Sequence, residues 1–153
     1  MSRPRSRFRL PPAAFHPATW LAAFLAWFAT LWWLSSSSHA MRQVPPIQFL
    51  DKVLHFGWFM GGAGLLGAFL FRLRPRSRRT AQAAVFSVVL LAATGALDEW
   101  HQSQVPGRDG NNLADWAADI AGSISGILIF LRVGRPLLTP PCRSLAAAHD
   151  DPN

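Results

Sequence analysis

Four apolar runs of about twenty residues constrain this chain more than any other feature, because that length of helix crosses a hydrocarbon core about 30 Å thick. They cover residues 18–38, 52–71, 81–100 and 113–131, and the connections between them are short. A soluble four-helix bundle would need a polar stripe along each helix. The segment 83–97 has no charged residue on any face, which argues against that packing. The expected fold is all-α, a polytopic membrane protein with four transmembrane helices. Composition agrees: half the residues are hydrophobic and 15% are charged, against roughly 25% charged in an average soluble domain. A disordered chain would be far less apolar. The single cysteine, Cys142, excludes a disulfide scaffold and a zinc ribbon.

The formal net charge of +7 would ordinarily raise nucleic-acid binding. Here the basic residues are few and long apolar runs separate them, so the expected partner is a lipid bilayer and not nucleic acid. Their placement sets orientation instead. Arg3, Arg5, Arg7 and Arg9 precede the first run, and Arg72, Arg74, Arg76, Arg78 and Arg79 follow the second. Arg132, Arg135 and Arg143 follow the fourth, so twelve of the fifteen basic residues fall on one side. Both termini are therefore expected in the cytoplasm, with residues 1–17 a basic arm and residues 132–153 a disordered tail rich in Pro and Ala. Cys142 is expected to be reduced there, palmitoylation being the alternative. The basic arm, the first run and Ser38-His39-Ala40 also resemble a signal peptide. The run is long for one and carries Trp32-Trp33 near its outer end, which favours an uncleaved anchor.

The acids lie on the other side. Asp51, Asp98, Glu99, Asp109, Asp115 and Asp119 all fall in the two outer loops or the outer ends of the runs, beside His55, His101, Gln102, Asn111 and Asn112. Helical spacing puts Asp51 and His55 on one side of the second helix, and Asp98, His101 and Gln102 on one side of the third, with Glu99 rotated away. Asp115, Asp119 and Gly122 form a stripe on the fourth. Asp98 and Glu99 are expected in the last turn of their helix, and Asp119 one turn deeper than Asp115. An acid at that depth wants a partner or a water-filled cavity. Gly57-x-x-x-Gly61 and Gly122-x-x-x-Gly126 are spaced for close helix approach. Pro106-Gly107 is a turn signal that folds the third helix back onto the fourth. It leaves Arg108 between the acids, able to grip a carboxylate with two parallel hydrogen bonds.

The ordered set Asp51-Lys52-x-x-His55-Phe56, Asp98-Glu99-x-His101-Gln102, Pro106-Gly107-Arg108 and Asp115-x-x-x-Asp119-x-x-Gly122 resembles the VanZ-like family of bacterial membrane proteins. The polar Ser35–Ser38 also looks like that family, whereas many of its members carry Asn where this chain has Asp119. The resemblance spans about residues 50–131. It implies a multi-pass protein of the bacterial plasma membrane tied to envelope chemistry, the founding member being linked to teicoplanin resistance. It implies no particular reaction.

Each candidate also has a purely structural reading. Asp51 and Asp115 are the kind of residue that caps a helix. Lys52 and Arg108 could pin the helix ends by pairing with Asp98 and Glu99. Trp100 and Trp116 read as interfacial anchors. On the functional reading His55 converges with Asp98 and His101. As a binding module, the chain would hold an envelope lipid, cell-wall precursor or partner protein, with Asp51, Lys52, Gln102, Arg108 and Asp115 as contacts. As an enzyme, His55, Asp98, Glu99, His101 and Asp119 would supply acid–base chemistry or hold a divalent cation, the substrate being a lipid-linked phosphate or cell-wall precursor. No zincin motif or Ser nucleophile elbow is present. As a small proton-coupled transporter, four spans would leave little room for a pathway without homo-oligomerisation. Pro106, Gly107, Gly122 and Gly126 are structural on every reading.

Overall fold

The structure is a computed structural model and describes residues 10–37, 49–73 and 80–139. Most of the described residues are helical, with no strand among them. Four helices are long and apolar enough to cross a membrane. These are α1 (Pro17–Ser35), α2 (Leu50–Leu73), α3 (Thr80–Ser103) and α4 (Leu113–Ile129), the last spanning together with its helical continuation to Leu138. The α1 helix starts on His16, whose ring accepts from the Ala18 N–H at 3.2 Å, with Pro17 in the first turn, where its missing N–H does no harm. It ends at Ser35, short of the expected residue 38, as the Ser36 hydroxyl turns back to the Trp32 carbonyl at 2.7 Å. Val53, Val85, Val89 and Leu128 lie exposed on the outer faces, as lipid contact requires.

The α2 and α4 helices make the most extensive contact, followed by α1 with α2 and α3 with α4, while α1 barely meets α3. Glycine spacing explains the first of these. Gly122 lies against the Phe56 carbonyl and Gly126 against the Met60 carbonyl, so α4 approaches α2 backbone to backbone. The expected partner motif on α2 is not used. Gly57 and Gly61 are exposed with nothing within 4 Å of an added Cβ. Gly62 receives the Trp27 ring and Gly67 the Phe130 ring instead. Trp27 also donates its indole N–H to the Trp58 carbonyl at 3.0 Å. Phe59, Ala63, Leu66, Leu91 and Ile127 complete the core.

The far end of the bundle differs from expectation. Residues 132–138 are helical: α4 continues through a wider π turn, Phe130–Gly134, into a short α5, Arg135–Leu138. Pro136 explains the widening, because its ring crowds the carbonyl four residues back and offers no N–H to it. Leu138 is buried beside Ala68 and Phe130. Arg72 ties this end together, donating to the Phe15 carbonyl at 2.9 Å from Nε and to the Leu138 carbonyl at 3.1 Å from Nη1. The other basic residues expected at this end, apart from Arg132 and Arg135, lie outside the described residues, as do Ser38-His39-Ala40 and Cys142.

Candidate polar site at the acidic end of the bundle

The α3 helix runs to Ser103, so Asp98 and Glu99 sit about a turn deeper than expected and are buried, 2% and 4% exposed. The chain then turns through Pro106-Gly107, with Gly107 at φ +79°, and returns as α4. Asn111 takes φ +59°, a conformation Asn tolerates. This wraps the loop over the end of α3. The Asn111 N–H donates to the Glu99 carbonyl at 3.1 Å and the Asn112 N–H to Glu99 Oε2 at 2.7 Å. Gly110 presses on the Ser103 and Glu99 backbone where no Cβ would fit. Asn112, not Asp115, caps α4, accepting from the Ala114 N–H at 3.0 Å.

The polar residues divide into two groups. The first joins α1 to α3. The Ser35 hydroxyl donates to Asp98 Oδ1, and Gln102 Nε2 donates to Asp98 Oδ2 at 2.7 Å. His101 lies beside this pair, its Nε2 2.9 Å from the Ser36 hydroxyl and its ring stacked on Trp32 with centroids 4.1 Å apart. The second group joins α2 to α4. Lys52 Nζ bridges Asp51 at 2.7 Å and Asp115 at 3.0 Å. His55 Nδ1 lies 2.9 Å from Asp119 Oδ1. Glu99 reaches this group from α3, and one ligand atom each of His55, Glu99 and Asp115 lie within 4.8 Å of one another. Glu99 Oε1 and Asp119 Oδ2 are buried with no hydrogen-bond partner among the described residues.

Several expectations are corrected by this division. His55 does not meet His101 or pair with Asp98; it pairs with Asp119, because α4 and not α3 is packed tightly on α2. Asp51 lies inside the first turn of α2 and is held by Lys52, so it is not a cap. Among the described residues Arg108 makes no ion pair, so it is not the helix clamp expected of it. Trp116 is half-buried, its indole N–H on the Ala92 carbonyl at 2.8 Å, while Trp100 is exposed as an anchor should be. Asn112 and the Ser35–Ser38 run stood out in the sequence as polar, but the partners of Asn112, Ser35 and Ser36, namely Ala114, Asp98 and His101, did not. The signal for the two serines was present: a hydroxyl run at the polar end of an apolar helix has to satisfy its own oxygens or a neighbour's.

A cavity of about 280 Å³ separates the two groups. Leu31, Leu34, Leu54, Trp58 and Phe59 give it an apolar wall. Ser35, Asp51, His55, Asp98, Gln102 and Arg108 also line it, though most of its surface is apolar. It presents a guanidinium, an imidazole and carboxylates to one volume, with an aliphatic and aromatic surface alongside. Such a lining suits a molecule that is polar at one end and apolar at the other. Comparison with protein-family models, with curated proteins and with solved structures finds no match for this chain.

Proposed function

We propose that this chain is a VanZ-like protein of the bacterial plasma membrane that holds the polar headgroup of an envelope amphiphile at the extracytoplasmic end of its bundle. The bound molecule is a lipid or a lipid-linked cell-wall precursor, and its retention bears on envelope homeostasis and glycopeptide susceptibility. The observation that carries this reading is the mainly apolar cavity between α1, α2 and α3, edged by a few polar side chains, with Arg108 among them and unpaired among the described residues. A guanidinium without a carboxylate partner is suited to take a phosphate. Orientation belongs to the same proposal: the arginine-rich segments face the cytoplasm and the acidic end faces outward.

One observation favours a catalytic variant of this reading. Asp119 holds His55 at 2.9 Å on the cavity wall. A carboxylate that fixes one imidazole nitrogen leaves the other, when no cation holds it, able to take or give a proton. The substrate would then be hydrolysed rather than only held.

Mass spectrometry of lipids retained by the purified chain, combined with lipid and precursor profiling of a deletion strain, tests the proposal. Arg108→Ala should keep the fold and lose roughly tenfold or more of the retained anionic amphiphile, a charged hydrogen bond contributing about 1.5–3 kcal/mol. Unchanged retention in Arg108→Ala, with an unchanged envelope profile in the deletion strain, would sink it.

A further inference from the structure

The second polar group holds more negative charge than its own residues balance. Asp51, Glu99, Asp115 and Asp119 are gathered around one lysine, Lys52, and one imidazole, His55. With all four carboxylates ionised and His55 neutral, the group carries a formal charge of −3, or −2 if Arg108 across the cavity is counted. Charge at the end of an apolar bundle is met by a counter-charge or by uptake of protons. Glu99 is 4% exposed, its Oε2 is taken by the Asn112 N–H, and its Oε1 has no partner among the described residues. Glu99 belongs to a trio, with His55 and Asp115, that offers one ligand atom from each residue within 4.8 Å of one another.

We propose that His55, Glu99 and Asp115 bind a divalent transition-metal cation, with Asp119 as the positioning residue that orients the imidazole. The set is one nitrogen and two carboxylates, which suits Zn²⁺ or Mn²⁺ better than the all-oxygen coordination that Ca²⁺ takes. Donors around a tetrahedral Zn²⁺ stand about 3.4 Å apart, given bonds of about 2.0–2.1 Å. The trio, within 4.8 Å as it stands, would close by up to about 1.4 Å to reach that spacing, with α2, α3 and α4 each supplying one ligand. Asp119 engages Nδ1 of His55 at 2.9 Å, which leaves Nε2 for the cation. This carboxylate–imidazole–metal arrangement fixes both the tautomer and the ring plane. Asp115 meets Lys52 through Oδ1 at 3.0 Å and keeps Oδ2 for the metal. Asp98 and His101, weighed as ligands from the sequence, are not part of the site, since Ser35, Gln102, Ser36 and Trp32 engage them. The site needs no bound amphiphile and stands whether or not the cavity holds one.

The test uses the full chain in detergent, stripped with chelator and dialysed against Zn²⁺ alone, with metal content and affinity measured. About one Zn²⁺ per chain is expected, with affinity reduced by a factor of ten or more in His55→Ala, Glu99→Gln and Asp115→Asn. Asp119→Asn should keep the stoichiometry and lose 10–100-fold in affinity, the usual effect of removing a ligand's orienting partner. Asp109→Asn, on the exposed loop and outside both polar groups, should bind as the parent does. A parent chain that takes up no Zn²⁺, or a Glu99→Gln chain that folds and binds equally well, overturns the site. If those variants fail to fold, Mn²⁺ on the parent chain gives the answer. Spin-echo modulation from one imidazole nitrogen is expected, and its absence overturns the proposal.

Discussion

Substituting Gly122 by Ala should destabilise the bundle, whereas the same change at Gly61 should not, and the contrast follows from two neighbourhoods. A Cβ on Gly122 would stand 2.9 Å from the Phe56 carbonyl carbon, 3.1 Å from its Cα and closer still to its oxygen. These are backbone atoms of α2, so no rotamer relieves the clash and the two helices must part. Over-packing of this kind costs about 1–3 kcal/mol. Removing a helical glycine returns at most about 1 kcal/mol of backbone entropy. The net effect at Gly122 is a loss of about 1–2 kcal/mol. At Gly61 nothing lies within 4 Å of the added Cβ, so only the favourable part remains and stability should hold or rise by up to about 1 kcal/mol. Denaturant titration in mixed micelles, followed by helical circular dichroism, measures both variants against the parent. Phe56 follows His55 in the chain, so Gly122→Ala should also lengthen the His55–Asp119 contact, visible as a changed imidazole resonance. A Gly122→Ala chain at least as stable as the parent would refute the backbone-to-backbone contact. A Gly61→Ala chain that falls with it would refute the assignment of the interface to α4's glycines alone.

Two further outcomes are expected. Lys52→Met leaves Asp51 and Asp115 without their shared cation and should destabilise the chain in the same titration. The loss should be smaller than the 3–5 kcal/mol of a wholly buried pair, because the Lys52 side chain is 28% exposed; no loss would mean that the bridge is not formed. In a Cys142→Ser background, Asp109→Cys should react with an impermeant thiol reagent from outside intact cells and Thr139→Cys should not, and the reverse pattern would invert the proposed orientation.

The helices were legible because bilayer thickness, not packing detail, sets their length. The apolar runs located all four to within a few residues. The ends shifted where a polar side chain chose between water and a neighbour, as Ser35 did with Asp98, and where Pro136 widened a turn instead of ending a helix. The site's membership was legible too, since acids at the ends of apolar helices stand out against their surroundings. Its pairing was not. Spacing places His55 on a face of α2 but cannot say which helix that face meets. The choice between Asp98 on α3 and Asp119 on α4 was made elsewhere, by Gly122 and Gly126 bringing α4 onto α2. The same limit explains Gly57 and Gly61, whose spacing fits a close interface that their face of α2 does not make.

That dependence of the site on distant packing also separates its two halves mechanically. The His55–Asp119 and Lys52–Asp115 pairs sit on the tight α2–α4 seam, so backbone contact fixes them before any polar interaction does. The other half has no such support, because α1 meets α3 over a small area. There the polar contacts themselves, Ser35 on Asp98, Ser36 on His101 and the Trp32–His101 stack, hold the ends of the helices together. Net contributions of about 0.5–1.5 kcal/mol per hydrogen bond make this the weaker wall of the cavity. A ligand whose headgroup competes for Asp98 or His101 therefore works against one or two hydrogen bonds, while one that disturbs His55 works against the core of the bundle. The cavity lies between a wall set by packing and a wall set by exchangeable polar contacts, and under the proposed function the second is where an amphiphile would gain entry at the smaller energetic cost.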